Sequence, residues 1–161
     1  MRALAALLTL ALAGCGFQLR GAADLPFETI FVPGATGGVA LDIKRNIQSG
    51  TRTRVVDDEK SAQAVLQFTQ EVREKHILSL SGTGQVREFQ LRYRVGFRVV
   101  DAKGGEFLPV NTIQLTRDVA YSDDAVLAKA TEEQQLYRDM QFDMVQQVMR
   151  RLSGAQRPQA Q

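Results

Sequence analysis

One cysteine and one histidine among 161 residues set the first limits on what this chain does. A lone Cys15 closes no intramolecular disulfide and builds no cysteine-based zinc site, and a lone His76 removes every mechanism that needs two imidazoles. Charge of one sign is scarce as well. Twenty Lys and Arg against 18 Asp and Glu leave a formal net charge of +2, too small for a polycation built to coat nucleic acid, and no nucleic-acid partner is expected. Beyond the N-terminal stretch, no run approaches the ~18 apolar residues of a membrane-crossing helix. Gly-x-Ser-x-Gly is missing around Ser79 and Ser81, and Gly82-Thr83-Gly84 lacks both the third glycine and the following helix of a dinucleotide loop, so these read as turn residues. His76 follows Glu74 and Lys75 without a paired nucleophile and reads as a surface or hairpin residue. No catalytic residue, metal ligand or cofactor site is expected, and the chain does not read as an enzyme.

What is present is the composition of one folded domain, 44% hydrophobic and 24% charged, preceded by a targeting segment. Met1-Arg2 supplies one positive charge, and Ala3 to Ala13 is almost wholly apolar but too short to span ~30 Å of hydrocarbon. This secretory pattern runs into Leu12-Ala13-Gly14-Cys15, which resembles the lipobox cut by the lipoprotein signal peptidase. The reading is a lipoprotein signal peptide over 1–14 and a lipidated Cys15. At about 0.8 kcal/mol per buried CH₂, the three acyl chains such sites carry would anchor the protein durably without spanning the membrane. Gly16 stands where lipoproteins retained at an inner membrane usually carry Asp, which resembles an outer-membrane address. Residues 15–26 are then a lipidated N-terminal segment, 27–153 a single domain and 154–161 a flexible tail.

Within the domain, Phe27 to Val32 is a short β-type run, and Val39, Ala40, Ile43 and Ile47 recur at helical spacing with a stop at Gly50. Thr51 to Val56 reads as a connection leading into the solvated turn Asp57-Asp58-Glu59-Lys60. Three long strands are expected next. Ala64, Leu66, Phe68 and Val72 share one face of the first, with Gln63, Gln67, Thr69, Glu71 and Arg73 on the other. Phe89, Leu91, Tyr93, Val95, Phe97 and Val99 alternate with Gln90, Arg92, Arg94 and Arg98 in the second, an alternation no helix produces. Ile113, Leu115, Val119 and Tyr121 alternate with Thr112, Gln114, Thr116 and Asp118 in the third, where Arg117 breaks the apolar row. Gly82-Thr83-Gly84 and Lys103-Gly104-Gly105 supply the hairpin turns.

From Asp123 the period becomes 3.6. Val126, Ala130, Tyr137, Met140, Met144 and Val148 form one stripe with Val145 and Leu152 at its margin, while Phe142 points away. Ser122 or Asp123 caps the start, and Gly154 ends the helix. The expected fold is α+β: a two-layer sandwich in the order β-α-β-β-β-α, with a four-stranded, largely antiparallel sheet and two helices on one face. The other, polar face is left bare.

Several segments together resemble the lipopolysaccharide-assembly lipoprotein family LptE. Cys15-Gly16-Phe17-Gln18-Leu19-Arg20-Gly21 is similar to that family's start after the lipidation site, with Leu25-Pro26 following. Gly84-Gln85 and Glu88-Phe89-Gln90-Leu91 resemble its central strand. Leu127-Ala128-Lys129-Ala130, Leu136-Tyr137-Arg138-Asp139-Met140 and Gln146-Gln147 through Arg151-Leu152 resemble its last helix. The resemblance implies a periplasm-facing outer-membrane lipoprotein in one-to-one complex with the β-barrel LptD. It would lie within the barrel lumen as plug and assembly partner in lipopolysaccharide transport to the cell surface, able to contact lipopolysaccharide. At the hairpin tip, where some relatives carry a basic residue, this chain departs from the pattern with the uncharged Ser81-Gly82-Thr83-Gly84, which offers lipid A no cation there.

The implied ligand is a phosphorylated glycolipid, which makes Arg92, Arg94 and Arg98, helped by Arg87 and Lys129, the candidate binding residues. Guanidinium forks suit phosphate oxygens, and residues two apart on a strand project alike. A solvated sheet face, or one bonded to a barrel wall, would carry the same arginines. A structural or lipid-transport auxiliary lipoprotein not bound to a barrel is the alternative function.

Overall fold

Residues 24–122 and 126–157 are described in a computed structural model. Cys15 and Gly16 lie outside them, as does the helix cap expected at Asp123. The elements run β1 (Thr29–Phe31), α1 (Gly38–Gly50), β2 (Arg54–Val56), a 3₁₀ turn (Glu59–Ser61), β3 (Ala64–Leu80), β4 (Val86–Val100), β5 (Glu106–Ala120) and α2 (Val126–Ser153).

The class is α+β, but the sheet has five strands in the order β2-β1-β3-β4-β5 and is mixed. Arg54–Val56, expected as part of a connection, pairs in parallel with β1, and β1 pairs in parallel with the start of β3 through Ile30↔Ala64 and Phe31↔Val65. Three residues carry too little alternation to reveal a strand; what makes β2 one is the neighbour that α1 brings back beside it. β3, β4 and β5 form two antiparallel hairpins. Gly84 (φ 81°) and Gly104 (φ 86°) take the left-handed conformation that closes their turns.

One face of the sheet meets both helices. Val39, Ala40, Ile43 and Ile47 of α1 and Met140, Met144, Val145, Val148 and Leu152 of α2 join Leu91, Tyr93, Val95, Phe97 and Val99 of β4 in one core. Each such buried side chain contributes about 1.5–3 kcal/mol, so the C-terminal half of α2 is fixed by packing. Its N-terminal half packs less deeply, through the half-buried Leu136 and Tyr137, and adds two polar contacts: Lys75 Nζ to Glu133 Oε2 at 2.6 Å and the Tyr137 hydroxyl donating to Glu74 O at 2.8 Å. At about 0–1 kcal/mol for a partly exposed ion pair, this half is the weaker attachment.

β3 departs from strict alternation. Phe68 stands opposite Phe97 and Gln70 opposite Gly96, so Thr69 is an extra residue in a β-bulge. The bulge inverts the faces downstream. Glu71 then opposes Val95 and Arg73 opposes Tyr93 on the helix side, while Val72 opposes Arg94 on the bare side, the reverse of the expected assignment for these three residues. Arg117 also belongs to the helix side, where it pairs with Asp143 of α2 at 2.9 Å. The two ends of the described chain meet at the base of the sheet: Gln156 N donates to Phe107 O at 3.0 Å and Arg157 Nε to Pro26 O at 3.0 Å.

Candidate functional site

β4 is regular between the bulges of its neighbours, so its even-numbered residues share the face that neither helix covers. Register places Gln67 beside Arg98, Val72 and Gln114 beside Arg94, Glu74 and Thr116 beside Arg92, and His76 and Asp118 beside Gln90. The structure therefore brings Arg92, Arg94 and Arg98 into one row, with Arg92 and Arg94 about 7 Å apart along the strand.

Neighbouring side-chain amides orient the row. Arg92 Nε donates to Gln90 Oε1 at 2.8 Å, Arg94 Nε to Gln114 Oε1 at 3.1 Å and Arg98 Nε to Gln67 Oε1 at 2.8 Å. Each bond uses Nε. The terminal amino groups of Arg92 and Arg98 make no side-chain bond among the described residues, while those of Arg94 lie 3.7 Å from Glu74 Oε2. A row pinned at Nε presents its fork ends outward, the geometry that receives a phosphate or carboxylate in two-point fashion. Glu74 also lies 3.5 Å from His76 Nε2, which places the histidine on this surface.

Arg87 and Lys129 do not join the row. Arg87 is exposed in a bulge between Glu88, opposite Ser79, and Val86, opposite Leu80. Lys129 is on α2, with the sheet between it and the arginines, and pairs with Glu132 at 2.8 Å. It lines a cleft under the first turns of α2.

The helix side of the sheet holds a second polar group, unanticipated because the bulge hides it. The Tyr93 hydroxyl donates to Glu71 Oε1 at 2.5 Å and accepts from Arg73 at 3.1 Å. Arg73 also donates to Gln141 Oε1 at 2.6 Å, and Gln141 donates to Asp42 Oδ2 at 2.5 Å. This chain of bonds ties β3, β4, α2 and α1 together. Burial, then the hydrogen bond to Glu71, pushes the Tyr93 hydroxyl well above its ordinary pKa; burial, then the charge of Glu133, raises that of Tyr137. A signal for the group does exist in the sequence: Glu71, Arg73 and Lys75 repeat every second residue, in phase with one another.

Among the described residues no group of His, Cys, Asp and Glu is placed to hold a metal ion, and no helix is long and apolar enough to cross a membrane.

This α+β body, with one helix-covered face and one long, polar, arginine-bearing face, has the fold of known lipoprotein domains. The solved structures it resembles bear this out. A lipoprotein B from Nitrosomonas europaea, solved in solution, is 44% identical over 86% of this chain and 90% of its own, with a TM-score of 0.74. The rare lipoprotein B from Shewanella oneidensis (22% identity, 78% of this chain and 94% of its own, TM-score 0.67) shares the fold. So does a minor lipoprotein from Acinetobacter baumannii (21%, 84% and 99%, TM-score 0.66). A comparison with curated proteins finds no match. The lipopolysaccharide-assembly family LptE matches residues 27–152, and the chain belongs to that family.

Proposed function

We propose that this protein is anchored to the outer membrane through a lipidated Cys15 and forms a one-to-one complex with the β-barrel LptD. Lodged in the barrel lumen as plug and assembly partner, it serves the transport of lipopolysaccharide to the cell surface. Membership of the LptE family supports the lipopolysaccharide role. The observation that carries the barrel reading is the helix-free face of β3–β5, which is polar over strands of 15 to 17 residues. A large polar wall suits a wet lumen, where water bridges facing polar side chains. On that face Arg92, Arg94 and Arg98 are the residues proposed to meet lipid A phosphates; Arg87, in the bulge near the hairpin turn, is proposed to help them from outside the row.

Gentle extraction of tagged protein from native membranes, followed by mass identification, tests the partnership. A large barrel should co-purify at one-to-one stoichiometry, and depletion of this protein should lower the amount of correctly assembled barrel. Normal barrel assembly with nothing co-purifying would leave a freestanding lipoprotein instead.

A further inference from the structure

The inward stripe of α2 steps by four and three residues through Val126, Ala130, Glu133, Tyr137, Met140 and Met144. Its two halves meet the sheet differently. Met140 and Met144 are fully buried, whereas Val126 is 51% exposed and Ala130 is exposed, although Leu91 and Val119 beneath them are buried. The difference is a cleft of about 160 Å³ between helix and sheet, walled by Val126 and Ala130 above and by Phe89, Leu91 and Val119 below. We infer that this cleft binds the end of one alkyl chain of an amphiphile, whose polar head stays outside.

Size and chemistry select that occupant. An apolar cavity of about 150 Å³ takes one benzene, so this one holds roughly six carbons. Its walls offer hydrocarbon. The charged groups at the mouth are already paired: Lys75 with Glu133 at 2.6 Å, and Lys129 with Glu132 at 2.8 Å. A peptide inserted there would bury its own N–H and C=O groups without partners, whereas an alkyl chain brings none to satisfy. Lys75, whose ammonium lies 4.1 Å from the centre of the Phe89 ring, closes one flank. The cleft and the arginine row lie on opposite faces of the sheet, so the inference rests neither on phosphate binding by the row nor on the barrel partnership.

An uncharged probe separates the two surfaces. Octyl glucoside, below its micelle-forming concentration, should produce saturable shifts of the Leu91, Val119 and Val126 methyl resonances of the purified protein, and glucose at equal concentration should not. Ala130→Leu, which fills the cleft, should weaken binding at least tenfold with the melting temperature unchanged or raised. Val126→Phe, filling from the half-exposed side, is a second such variant and should do the same. The Arg92, Arg94 and Arg98 triple change to Gln should leave octyl glucoside binding unaltered. Undiminished binding in both filled variants, shifts produced equally by glucose, or shifts centred elsewhere on the surface would overturn the assignment.

Discussion

Arg73 sits over the ring of Tyr93, its guanidinium carbon 4.5 Å from the ring centre, and donates to the hydroxyl of the same residue. That hydroxyl in turn donates to Glu71, so the neutral phenol is the form the fold requires. Because folding raises this pKa, the native state keeps a proton that the unfolded chain gives up. The stabilisation is complete below about pH 10, the unfolded tyrosine value, and declines as pH rises toward the folded value. Urea unfolding from pH 8 to 11 should show this decline. Tyr93→Phe should lessen it, with Tyr137 left to contribute the rest, at a cost of about 1 kcal/mol at pH 8, the net worth of a hydrogen bond.

Gly96 faces the β3 bulge so closely that a Cβ there would collide with Thr69 Oγ1 and approach Gln70 Cγ to 2.9 Å. Gly96→Ala should therefore destabilise by about 1–3 kcal/mol, the range for overpacking. The double change with Thr69→Ala should recover part of the loss. Denaturant titration of the two single variants and the double measures both effects.

Lipidation at Cys15 has a direct readout in the mass of the mature N-terminus. Cys15→Ala should accumulate as an unprocessed, mislocalised precursor in membrane fractionation. An unmodified Cys15 still joined to residues 1–14 in the normal protein would remove the proposed anchor.

Changing Arg92, Arg94 and Arg98 together to Gln keeps the face polar while deleting its charge. Salt-sensitive lipopolysaccharide binding by the purified protein should fall, while the barrel still co-purifies and assembles. Unchanged binding in this triple variant would move the lipid site elsewhere.

The legible parts of the sequence are those where one period runs uninterrupted. Val39, Ala40, Ile43 and Ile47 are the buried residues of α1, and the odd positions from Leu91 to Val99 are buried along β4, because an element with one covered face must repeat at its own pitch. The same regularity made the row of Arg92, Arg94 and Arg98 readable. Val72 lies on the face opposite its expected one because a single inserted residue, Thr69, reverses the faces from Gln70 to Ile77, and the trace it leaves is the two-residue repeat of Glu71, Arg73 and Lys75. β2 was hidden for a different reason: Arg54–Val56 becomes a strand only through its partner in β1. Lys129 joins the arginines by motif resemblance alone, which carries no information about the side of the sheet to which a helix returns.

The contact between Arg157 and Pro26 makes the described chain nearly a closed ring, with its two hairpin turns on the circumference. Order along the backbone is thus loosely coupled to position in space at this one seam. A circularly permuted version, joined across the seam and opened within Gly82-Thr83-Gly84, would retain every strand pairing while moving both free ends to the far pole of the long hairpin. Such a molecule would carry a label, or an attachment point, at the end opposite its natural entry.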